Sequence, residues 1–219
     1  MKKSRLAMIG LLVTALPFVH ARADDTDEPT RYYGYGSIGS FNGPNRVGNL
    51  TNGGDGVALN AGLGRRFNRY LAGEGDIAIA GQTFDAAGYE GGGEPTVGYI
   101  SLAYSLKASL PRKSFRPFVT AGVGIFQADV QLVTESSNGL GYTGEPLASD
   151  KGLETRLGVG VDFRAGRKWW LGLEFREISA EADFGTPRKI DLSASSVVFA
   201  YRRELGRPIS RENAHERSP

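Results

Sequence analysis

Cysteine is absent from the 219-residue sequence, which excludes disulfides, thiolate metal sites and a thiol nucleophile. Histidine is almost absent: only His20 and His215 are present, one close to each end. There is no nucleophile-elbow pentapeptide, phosphate-cradling glycine loop, dinucleotide fingerprint or metal-ligand cluster. These gaps leave no cofactor and no metal to expect, and they favour a protein that is not an enzyme. The Glu74/Asp76 pair does not alter this, because i, i+2 spacing merely puts both carboxylates on one face of a strand. A net charge of +2 is too small for nucleic-acid binding, and its positive part sits in short turns. Past the N-terminus no apolar run approaches the roughly 20 residues of a membrane helix. Any residence in a membrane must therefore come from strands.

At the N-terminus Lys2, Lys3 and Arg5 precede an apolar run over 6–19, which Pro17 interrupts and Ala21-Arg22-Ala23 closes. That is the pattern of a secretory signal peptide, with cleavage expected after Ala23. The segments read as a signal peptide over 1–23, a polar leader over 24–30, a barrel over 31–203 and a polar tail over 204–219.

What the sequence has in quantity is alternation. Leu153, Thr155, Leu157, Val159, Val161 and Phe163 share one parity, with Glu154, Arg156, Gly158, Gly160 and Asp162 on the other. After the link RAGRK, Trp169, Leu171, Leu173 and Phe175 alternate with Trp170, Gly172, Glu174 and Arg176. Period two over this length means strand, and the short link makes an antiparallel hairpin. The same reading gives strands at 31–41, 56–64, 71–81, 96–107, 118–130, 153–163, 169–177 and 192–202. The first has tyrosines on both parities, so its faces stay unassigned. One parity of the others is bulky and nearly uncharged; the opposite parity is Gly, Ala, Ser and charge. A soluble ligand-binding barrel needs the reverse, large apolar residues inside and polar ones outside. Lipid outside suits this pattern.

The connections alternate too, long after strands one, three, five and seven, and short after two, four and six. Short periplasmic turns and long extracellular loops are the habit of outer-membrane barrels. The short links carry Arg65, Arg66, Arg69, Arg112, Lys113, Arg116, Arg164, Arg167 and Lys168 and no acid. The long ones, at 42–55, 82–95, 131–150 and 180–190, carry Asp55, Asp85, Glu90, Glu94, Glu135, Glu145, Asp150, Glu181 and Asp183 against Arg46, Arg188 and Lys189. Aromatic residues gather at the short-link end, and Tyr70, Trp169, Trp170 and Tyr201 read as a girdle at headgroup level. The fold class is all-β, an eight-stranded antiparallel up-and-down transmembrane β-barrel.

The phrases YYGYGSIGSF, GLGRRFNRYLAGEGDIAIAG, RPFVTAGVGIF, LGVGVDFRAGRKWWLGLEFRE and VVFAYR follow one another in order. In this order and spacing the chain resembles the small eight-stranded outer-membrane barrels, the OmpA-like and OmpX-like barrel domains, over essentially its whole mature length. The resemblance implies a bacterial outer-membrane protein, bounded by lipid and lipopolysaccharide and inserted by the barrel assembly machinery. Its loops would be free to meet an extracellular ligand. Phe199 and Tyr201 imitate the terminal aromatic of that family, although residues 204–219 follow. A monomer is expected, since a closed barrel leaves no edge to pair.

Nine charges fall on the inward parity: Glu74, Asp76, Lys107, Glu154, Arg156, Asp162, Glu174, Arg176 and Arg202. Eight strands leave a lumen just wide enough for side chains. The charges form either a salt-bridged plug or the selectivity ring of a narrow pore for ions or small solutes. Some barrels of this size modify lipid A, using histidine with serine. No strand here carries a histidine to act as the base. The expected role is envelope integrity, surface interaction or adhesion.

Overall fold

A computed structural model of the protein describes residues 32–47, 50–85, 94–135, 142–143, 146–184 and 189–205. The expected signal peptide, the leader and nearly all of the tail lie outside the described residues. Eight long strands run through these segments: β1 (Tyr32–Phe41), β2 (Gly56–Arg66), β3 (Leu71–Thr83), β4 (Glu94–Ser109), β5 (Phe115–Glu135), β6 (Pro146–Arg164), β7 (Trp169–Ala182) and β8 (Ala194–Leu205). Each pairs antiparallel with the next. β8 then returns to β1, from Tyr32↔Leu205 to Gly39↔Val198, and closes the sheet on itself. The protein is thus an all-β, eight-stranded, up-and-down barrel.

Alternation in the sequence becomes alternation of faces. Along β7, Leu171, Leu173 and Phe175 are exposed while Trp170, Glu174 and Arg176 are buried. Leu63 is 66% exposed and Glu174 only 1%, the inverse of a water-soluble barrel. An outward face built this way is stable only against hydrocarbon. On β1 the tyrosines divide: Tyr32 faces out, and Tyr33 and Tyr35 face in. Their rings fit because the strand opposite carries glycines. A Cβ on Gly64 would run into the Tyr33 ring, and one on Gly62 into Tyr35.

The three short turns are tight. Asn68 Oδ1 accepts the backbone N–H groups of Tyr70 and Leu71, both at 2.8 Å, which fixes the β2–β3 turn as an Asx-type device. At the other end the strands exceed the sequence expectation. β5 continues to Glu135 and β6 begins at Pro146, so most of the connection expected over 131–150 is ladder. β4 starts at Glu94, paired with Val133. The physical reason lies inside the barrel. Phe41, Phe84, Val97, Tyr99, Phe126, Val130 and Leu192 pack into an apolar cluster that fills the loop-end half of the lumen. The Tyr99 and Phe126 rings stack at 5.3 Å, and Phe41 tilts against Tyr99 at 6.1 Å. With its inner face buried in this way, the ladder has reason to persist past the apolar band.

The first long connection folds inward as well. Arg46–Val47 and Leu50–Thr51 form a two-residue ladder, and Val47 is buried in the apolar cluster with Leu50 against it. Gly54 donates to Thr83 O at 2.9 Å and Gln82 Nε2 to Pro44 O at 3.2 Å. Asn52 takes a left-handed φ of 53°, which asparagine tolerates better than most residues. Val47 and Leu50 thus add this connection to the apolar cluster.

Candidate functional site

All nine inward charges of the sequence reading are buried, and they meet in the turn-end half of the lumen. Four strands supply the first group. Arg156 on β6 donates from Nε to Glu154 at 2.5 Å, from Nη1 to Asp76 on β3 at 2.7 Å, and from Nη2 to Ser101 on β4 at 2.5 Å. Tyr99 donates to the second oxygen of Glu154, and Tyr35 on β1 to Asp76 at 3.1 Å. The second group is on β7, where Arg176 grips both oxygens of Glu174 at 3.2 Å and reaches Asn60 at 3.4 Å. Thr120 donates to Glu174 at 3.2 Å.

The third group lies nearest the turns. Lys107 donates to Asp162 at 2.8 Å and stands 3.5 Å from Glu74. Arg202 binds the other oxygen of Asp162 and comes within 3.8 Å of both Glu74 and Glu174, linking this group to the second. Tyr33 completes Glu74 with a hydrogen bond of 2.5 Å. Gly172 leaves the space Arg202 needs, since a Cβ there would strike its guanidinium. Carboxylates sealed from water require such partners, and here each has at least one cation and a hydrogen-bond donor.

Two residues occupy places the sequence reading did not give them. Trp170 does not belong to the girdle: it is 3% exposed and points into the barrel, as its shared parity with Glu174 requires. Its Nε1 donates to Glu204 at 3.3 Å, and Arg116 lies over its ring at 3.7 Å. Arg116, assigned to a turn, is in β5 opposite Asp162. The nine residues hold five carboxylates against four cations, so Arg116 levels the charge at the turn-end mouth. Of the other girdle residues, Trp169 and Tyr201 stack at 4.5 Å near the outward turn-end rim, and Tyr70 sits in the β2–β3 turn under Arg69 at 4.7 Å.

At that mouth a cavity of about 20 Å³ is bordered by Tyr33, Arg66, Lys107, Arg116, Asp162, Trp170 and Arg202. That holds about one water. At the loop end Asp150 accepts the backbone N–H of Asp183, and this bond with that of Lys151 holds its carboxyl below the ordinary aspartate value. Among the described residues no group of acids or histidines is placed to hold a metal ion. No helix among them is long and apolar enough to cross a membrane.

The protein is a closed eight-strand barrel with lipid-facing leucines and a salt-bridged interior, and the family model of the outer membrane protein beta-barrel domain matches residues 11–202. The chain belongs to that family. Membership of the outer membrane protein beta-barrel family places it in the outer membrane of Gram-negative bacteria, crossing with strands. The fold resembles that of Neisserial surface protein A, with a TM-score of 0.54 and 12% identity over 80% of this chain and 97% of that one. Ail, the attachment invasion locus protein of Yersinia pestis, gives 0.47 at 14% identity, over 78% of this chain and 99% of Ail. The outer membrane enzyme PagL gives 0.43 at 16% identity, over 79% and 99%. No curated protein sequence matches the chain. Likeness at these identities is one of fold, and fold alone does not specify activity.

Proposed function

We propose that the protein is a non-conducting, non-enzymatic outer-membrane barrel that acts through its loop end, in envelope integrity or in surface interaction. The observation that carries this reading is the filled lumen: a salt-bridged network in one half, an apolar cluster under a folded-in loop in the other. An ion would have to break buried pairs to pass. A serine hydrolase in the barrel would lack a base, because the strands contain no histidine. The loop end, by contrast, is built outward. At about 3.4 Å per residue β5 runs roughly 70 Å, well beyond a band about 25 Å tall even when tilted. Together β4, β5 and β6 form a ladder standing clear of the membrane, a rigid base for contacts.

Refolded protein in a planar bilayer should give no discrete openings. Steady channels that change on Glu174→Gln would overturn the plug and favour the narrow pore. A second experiment addresses the loop end. Replacing residues 132–145 by Asn-Gly joins Gln131 to Pro146, the pair that follows the register shift after Val130, through a favoured hairpin turn. The shortened barrel should assemble normally yet fail to restore a strain lacking the protein. Full complementation by the shortened barrel would remove this part of the loop end from the function.

A further inference from the structure

We propose that the outward turn-end rim of the barrel binds the headgroups of anionic phospholipids. Two arginines there lie on aromatic rings directly opposite them in the ladder. Arg203 sits 4.7 Å from the Trp169 ring centre, and that ring stacks on Tyr201 at 4.5 Å; Arg65 sits 5.8 Å from the ring of Tyr32. A guanidinium held near a ring by cation–π attraction keeps N–H donors that can meet phosphate oxygens. Both arginines are exposed, and so are Leu63, two residues from Arg65 along β2, and Leu171, two residues from Trp169 along β7. The pairs therefore stand where hydrocarbon gives way to headgroups.

Among the described residues the exposed charge on this end has one sign. Glu204 is held by Arg66 at 2.9 Å and by Trp170 at 3.3 Å, and Glu74 and Asp162 are enclosed in the lumen network. Among the described residues no exposed carboxylate stands beside the rim, while Arg112, Lys113 and Arg164 add exposed cations just beyond it. A negatively charged lipid gains from each such cation near the surface, and a zwitterionic one gains little. The stacked pairs face sideways, into the leaflet, which favours lipid over an acidic polymer or the chain's own acidic segment 24–30. This inference goes beyond the reading of the loop end and does not depend on it.

The sequence carries its own reporter. Its two tryptophans are Trp169 and Trp170, and Trp170 is sealed in the lumen, so quenching by lipid reports on Trp169. The full chain is refolded into phosphatidylcholine bilayers in which part of the lipid is brominated phosphatidylglycerol or brominated phosphatidylcholine, and folding is verified by heat-modifiable gel mobility. Brominated phosphatidylglycerol should associate about fivefold more strongly with the site, and Arg203→Gln should remove most of that preference. Raising salt from about 0.05 M to about 0.5 M should erode it in the unmodified protein, which needs no variant to fold. Equal quenching by the two lipids overturns the proposal, including the case in which segment 24–30 covers the rim. So does a preference that neither salt nor Arg203→Gln reduces.

Discussion

Arg156→Met should destabilise the barrel by about 3–5 kcal/mol, the loss that follows when a buried ion cluster loses one partner. The reason is the arrangement around that guanidinium. Arg156 is the cation within 4 Å of both Glu154 and Asp76, and it also holds Ser101. Without it two carboxylates in a sealed lumen keep the hydroxyls of Tyr99 and Tyr35 and, among the described residues, no cation within 4 Å. Methionine fills much of the volume, so the effect reports charge more than cavity. Arg202→Met should cost less, because Asp162 and Glu74 keep Lys107 and Glu174 keeps Arg176. The measurement is the urea midpoint of unfolding from lipid vesicles. Its control is the triple variant Arg156→Met, Glu154→Gln, Asp76→Asn, in which no charge is stranded; most of the loss should return. If the triple variant is no better than Arg156→Met alone, the network is not held by charge pairing and the plug must be explained by packing.

How much of this interior could be read beforehand depends on the kind of signal. Strand parity is local, so the nine inward charges and the lipid-facing leucines were legible from alternation alone. Trp170 shows the cost of setting parity aside. Its place beside a turn suggested the girdle, yet it shares a face with Gly172 and Glu174, and the structure follows the face. Arg116 was hidden for a different reason: the sequence reading began its strand at Phe118, and starting at Phe115 puts Arg116 in step with Phe118 and Thr120. Tyr33 and Tyr35 could not be assigned because Tyr32 breaks the pattern; only the glycines opposite, on β2, decide which rings have room inside.

The apolar cluster had no local signature at all. Phe41, Tyr99, Phe126, Val130 and Leu192 come from strands and connections far apart in sequence, and each looks ordinary in its own segment. Their convergence is a property of the closed sheet, and so is the length it gives β5 and β6. On β6 the apolar cluster is met by Ala148, five residues before the start that alternation gives that strand.

Leu157→Arg should prevent assembly almost completely, while Leu171→Arg should be tolerated far better. Both leucines face outward, so orientation does not separate them; depth does. Leu171 lies opposite Phe163 and Tyr201, two residues from Trp169 and thus close to the aromatic rim. Leu157 lies six residues along β6 from Phe163, opposite Ala121 and Glu177. That is about 20 Å along a tilted strand, which brings it near the middle of a band about 25 Å tall. An arginine costs about 2–4 kcal/mol at the midplane and about 0–1 near an interface. On the equilibrium between assembled and unassembled chains the first figure is a shift of roughly 30-fold or more. The readout is the heat-modifiable fraction after refolding into vesicles. Mild effects from both would mean that the outward face does not meet hydrocarbon. Severe effects from both would move the rim away from Trp169 and Tyr201 and deepen Leu171, which would also take the stacked arginines out of the headgroup layer.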